Sequence, residues 1–190
     1  MVPKLWIAFL VLAAGTMTRE AAQTRSHSAE PTSGWTYPVI KDYGRAWPLP
    51  DAAVQPQKGR TYKVIFGVSK PASHPNEVLD GLSNAARLLN VFAADGLLPK
   101  NLKVIAIIHG QAGYAAVSNE VYRAKFDVDN PNLKIIQELK AAGVQLLLCG
   151  QTFHELNFEE KNLLPEVKLA TSAAIVLVTY QNDGYALMPF

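Results

Sequence analysis

Hydrophobic and polar positions change rhythm along this chain, and each change marks an element. The short apolar runs at 64–68, 104–108 and 144–148 carry Val64, Ile65, Phe66, Val104, Ile105, Leu146 and Leu147 with no polar alternation, so each reads as a strand buried on both faces. Between them the period lengthens. Val78, Leu82, Ala85, Leu89 and Phe92 recur at helical spacing, with Asn76 as the expected N-cap, Glu77 in the first turn and Gly96 as the stop. A mixed segment, 111–128, predicts a helix around 118–125.

Asn130, Pro131 and Asn132 predict a helix start, because Asn caps free amides and proline loses nothing at the first helical position. Leu133, Ile136 and Leu139 then face inward, Lys134 and Glu138 pair outward at i,i+4, and Gly143 ends the helix. Beyond a charged loop with Glu159, Glu160 and Lys161, a short strand near 167–169, a helix over 172–180 and a strand over 185–188 complete five strands separated by helices. Crossovers of this length force parallel pairing. The expected fold is an α/β three-layer sandwich with a mostly parallel five-stranded sheet, flavodoxin-like in outline.

Composition narrows the picture. At 190 residues, 49% hydrophobic and 18% charged, the chain supports one sizeable core. Its 18 Lys+Arg against 16 Asp+Glu give +2 without a basic block, which argues against a nucleic-acid partner. Lys4, the apolar stretch 5–14 and the small polar residues after it read as an export signal through residue 22, too short to span a bilayer comfortably. An uncleaved N-terminal anchor is the alternative. Cleavage would leave a periplasmic or secreted protein without a stable membrane anchor.

Residues 23–60 then form an arm rich in proline and aromatics, with Trp35, Tyr37, Tyr43 and Trp47, and 61–190 the α/β domain. Aromatics are scarce in pure linkers. The arm either docks, on the domain or on a neighbouring subunit, or serves as a flexible tether.

Chemistry gathers where parallel strands end. Cys149, the chain's single cysteine, closes the third buried run and precedes Gly150, Gln151 and Thr152, where a short helix begins. Amides of that helix start would stabilise a thiolate, whereas burial beside Leu147 and Leu148 would oppose it. A small core hydrophobe is the bland alternative. His109, with Gly110 at the end of the second strand, and His154, five residues beyond Cys149, are candidate supporting groups, while His74 reads as a solvated loop residue. The sequence contains no phosphate-binding loop, dinucleotide fingerprint or nucleophile elbow. Its dispersed histidines lack metal-ligand spacing, Asp127 and Asp129 read as loop polarity, and no cofactor or metal is implied.

Taken together, Asn130-Pro131-Asn132, Ala142-Gly143-Val144 leading into Leu148-Cys149-Gly150-Gln151-Thr152, and Gly184-Tyr185-Ala186 resemble the DsrE/DsrF-like family over roughly 62–190. Trp47-Pro48-Leu49-Pro50 and Gln55-Pro56 are similar to the N-terminal extension of exported relatives. The resemblance implies a role in sulfur relay or sulfur oxidation, with Cys149 as the sulfur acceptor. It also implies assembly as a trimer or hexamer, and donor and acceptor proteins as partners. Gly110, Gly150, Gln151 and Thr152 would line the ligand site. The alternative function is a small-ligand-binding or oligomeric scaffold module in which Cys149 is packing. A sulfenic-acid sensor is weaker, because the chain has no resolving cysteine.

Overall fold

The computed structural model describes residues 34–97 and 99–188. The expected export signal, and residues 23–33 of the arm, lie outside them. Five strands form one sheet: β1 (Tyr62–Val68), β2 (Leu102–Ile108), β3 (Gln145–Cys149), β4 (Val167–Ala170) and β5 (Ala186–Met188). Every pairing is parallel and the order is β4-β3-β2-β1-β5. The buried runs therefore became strands apolar on both faces, as parallel pairing demands.

Alternation divides those side chains between two cores. Val64, Phe66, Val104, Ala106, Ile108, Leu146 and Leu148 face helices α1 (Asp80–Ala94) and α3 (Leu133–Ala141). Ile65, Ile105, Ile107, Leu147 and Cys149 face the opposite side, beneath Ala173 and Val176 of α5 (Ala173–Asn182). The expected three layers are present. Helix α2 (Asn119–Phe126) and the short α4 (Gly150–Glu155) complete the helices, with a 3-10 stretch at Gly110–Ala116.

Two helix starts differ from expectation. Helix α1 begins at Asp80, not after Asn76, because Glu77 folds back on His74 in a turn and the buried Leu79 amide donates to Asn132 Oδ1 at 2.9 Å. Asn130 and Asn132, expected as caps, are instead buried staples. Asn130 Nδ2 donates to the carbonyls of Ala115 and Val117, and its Oδ1 accepts from both nitrogens of Asn132, so helix α3 starts only at Leu133. The Asn130 side-chain amide satisfies loop carbonyls that would otherwise be buried unpaired. Elsewhere the punctuation holds: Gly96 and Gly143 follow α1 and α3 with φ of +85° and +91°, in the left-handed region.

The described part of the arm docks on its own domain. Asn90, fully buried on α1, accepts from the amides of Val39 and Ile40 and donates to the carbonyls of Ile40, Tyr43 and Gly44. Gly44 passes so close to α1 that a Cβ there would lie 2.2 Å from the Arg87 nitrogen. Ile40 fills the gap beside them at 1% exposure. Trp35, Tyr37 and Trp47 stay more than a third exposed, with Arg45 stacked on Trp35. Among the described residues no helix is long and apolar enough to cross a membrane.

Replacing Asn90 with alanine strips partners from several arm amides and carbonyls at once, so unfolding in urea should show a loss of about 2–4 kcal/mol. Limited proteolysis should then cut within residues 34–59 before the sheet unfolds; an arm that stays protected would contradict this anchoring role.

Candidate functional site

The C-terminal edge of the sheet is where the sequence-derived candidates come together. Register puts Ile108 opposite Leu148, so His109 and Cys149 stand level on neighbouring strands, both continuing the alternation toward α5. His109 remains in extended conformation and its amide donates to the Val68 carbonyl at 2.9 Å, extending the ladder with β1. Its ring leans toward β1: Nε2 lies 3.9 Å from where a Cβ on Gly67 would be, beside Leu177 of α5. No hydrogen bond joins His109 to Cys149 among the described residues. Burial pushes the His109 pKa down from its usual range, which leaves the imidazole neutral at neutral pH.

Cys149 occupies the point where two helices begin. It is the N-cap of α4, and the first amide of α5, Ala173 N, donates to its sulfur at 3.3 Å. Helix α5 starts there because Ser172 accepts from the Ile175 amide in a regular N-cap. Burial pushes the thiol up. The amides of Thr152 and Ala173, the Thr152 hydroxyl and the Gln151 amide act against burial and hold it below its ordinary value. Of these donors Ala173 has regular geometry, while Cys149 makes no regular capping bond within α4, so Gln151 and Thr152 contribute as close dipoles.

The glycines explain how the backbones approach so closely. A Cβ on Gly150 would sit 2.8 Å from the Ala170 carbonyl oxygen and 3.2 Å from that of Thr171, so only glycine lets α4 start against the β4–α5 turn. Gln151 reinforces that contact from the surface, its Nε2 donating to the Thr171 carbonyl at 3.2 Å. Gly110, at φ +58°, donates its amide to Thr152 Oγ1 at 2.8 Å. Thr152 is buried, whereas His154 is exposed on α4, its ring edge-on to Phe153. Cys149 as a residue is 5% exposed and belongs to one buried cluster with Ile107, Leu147, Ala173 and Val176.

Sequence reasoning located Cys149 and the α4 amides but missed Ala173, which lies 24 positions away. The available signal was Ser172 as a helix start after a strand, which aims a second set of free amides at the same edge. It also missed a small cavity of about 170 Å³ at this edge, on the α1 side of the sheet, walled by Ser73, His74, Gln111, Tyr114, Tyr122 and Phe126. A cleft of about 670 Å³ lies at the opposite edge, between the arm and the ends of α1 and α3, remote from Cys149. Among the described residues no group of three or more His, Cys, Asp or Glu could hold a metal ion.

Donors that hold the thiol low predict an alkylation profile with its midpoint below the ordinary cysteine range of about 8.5. Iodoacetamide labelling of the native chain across pH measures it; a midpoint above that range would mean that burial wins.

A model of the DsrE/DsrF-like family matches residues 63–190. Among solved structures, a protein of unknown function from Methanobacterium thermoautotrophicum is similar at a TM-score of 0.50 and 19% sequence identity, over 67% of this chain and 97% of that one. At that identity the likeness concerns the fold. No curated protein matches the chain.

Proposed function

This chain belongs to the DsrE/DsrF-like family, which suggests a sulfur-relay-type role, and on that premise we propose that it carries persulfide sulfur on Cys149. The observation that supports this is the sulfur's position: the chain's one thiol faces the Ala173 amide at the shared edge of the parallel strands. The Cys149 thiolate attacks the outer sulfur of a donor persulfide, R–S–SH. The donor S–S bond breaks, a Cys149 S–S bond forms, and the donor leaves as R–S⁻. Attack by an acceptor thiolate on the outer sulfur reverses the step and regenerates Cys149. Sulfur moves without net oxidation or reduction. His109, neutral and level with Cys149 in strand register, would have to turn its ring from over Gly67 to take the thiol proton.

Export belongs to the same proposal. It is supported by Lys4, the apolar stretch at 5–14 and the polar residues that follow, and it would put the donor and acceptor proteins in the periplasm or outside the cell. Assembly as a trimer or hexamer is supported by α5, whose residues 173–178 are all apolar yet bury only Ala173 and Val176, leaving Ile175 and Val178 more than half exposed. Another copy would cover them.

A second reading, a small-ligand-binding or scaffold module with a structural cysteine, is favoured by the burial of Cys149 and by the cavity at the same edge.

Incubation with a low-molecular-weight persulfide donor separates the two. The carrier gains the mass of one sulfur atom while Cys149→Ser gains none; a wild type that stays unmodified and resists alkylation until unfolded supports the scaffold instead. Val178→Asp should lower the assembly state in sedimentation, and an unchanged wild-type-like sedimentation would remove α5 as the interface.

A further inference from the structure

Thr152 is a buried polar side chain, 3% exposed, on the first turn of α4, and two of its contacts fix its orientation. Its Oγ1 accepts the Gly110 amide at 2.8 Å, which ties the end of β2 to the helix that begins at Cys149. Its methyl Cγ2 occupies space that a Cβ on Gly113 would invade at 2.7 Å, so the missing side chain at Gly113 makes room for this rotamer. The hydroxyl also lies near the Cys149 sulfur, where it acts as a favourable dipole rather than through a regular hydrogen bond.

Resting on the assignment of Cys149 as a sulfur carrier, we propose that Thr152 is a positioning residue: by accepting the Gly110 amide it clamps the β2 end against α4 and so keeps the first turn of α4 in place at the attacking sulfur. The clamp also holds His109, the residue before Gly110, level with Cys149. A purely structural threonine would be replaceable by valine, which has nearly the same shape and would keep the contact with Gly113 while lacking both the acceptor and the donor.

The test is the pH profile of iodoacetamide alkylation on the full chain for the wild type, Thr152→Val and Thr152→Ser. The titratable side chains on the elements around the sulfur are His109 just after β2, His154 and Glu155 on α4 and Lys168 on β4, while the first turn of α5 contributes none. All four are unchanged in every variant, so a moved thiol midpoint reports Thr152. The valine variant is expected to alkylate about threefold or more slowly at neutral pH with its midpoint raised, and the serine variant to keep the wild-type midpoint. A valine midpoint equal to wild type overturns the proposal, as does a serine midpoint that rises as far as valine. If the valine chain does not melt cooperatively, Thr152→Ala is compared with serine on the same criteria. Sulfur uptake is scored separately, so a wild type that takes up none defeats the carrier role whichever way the midpoints fall.

Discussion

Parallel pairing of β3 between β2 and β4 is the constraint on which the rest depends. It sends the carboxyl ends of three neighbouring strands to one edge, and the chain must leave that edge through the starts of helices. Helix starts carry unpaired amides. Two of them, from α4 and α5, meet at Cys149, so a sulfur that would otherwise be a core atom faces donors.

Burial and hydrogen bonding therefore compete at one atom. Desolvation disfavours the thiolate, yet a hydrogen bond to a charged acceptor contributes about 1.5–3 kcal/mol in its favour. One regular bond from Ala173, aided by nearby dipoles from α4, suffices to tip the balance toward the ionised form. The same packing restricts approach, since Cys149 is buried in one cluster with Ile107, Leu147 and Val176.

The strands were legible because a strand buried on both faces has a plain apolar signature, and Gly96 and Gly143 marked the helix ends by their left-handed backbone. What escaped was long-range. Asn130 and Asn132 looked like caps, since local sequence favours that use, but in the structure Asn130 holds the Ala115 and Val117 carbonyls and Asn132 accepts from the Leu79 amide, 53 positions away from it. Asn90 sits in mid-helix with nothing nearby in sequence to show that it grips the arm. At the site, Cys149 and its following amides follow from spacing. The Ala173 contact and the lean of the His109 ring over Gly67 follow only from how β4, β1 and α5 are stacked.

Peptide mapping by mass spectrometry of the chain purified from its native compartment, quenched in acid without reductant, tests the central claim most directly. A sulfur-bearing Cys149 peptide beside the free thiol is the predicted result. Recovery of Cys149 solely as unmodified thiol, from cells actively metabolising sulfur, would contradict the carrier account and leave the cysteine as packing.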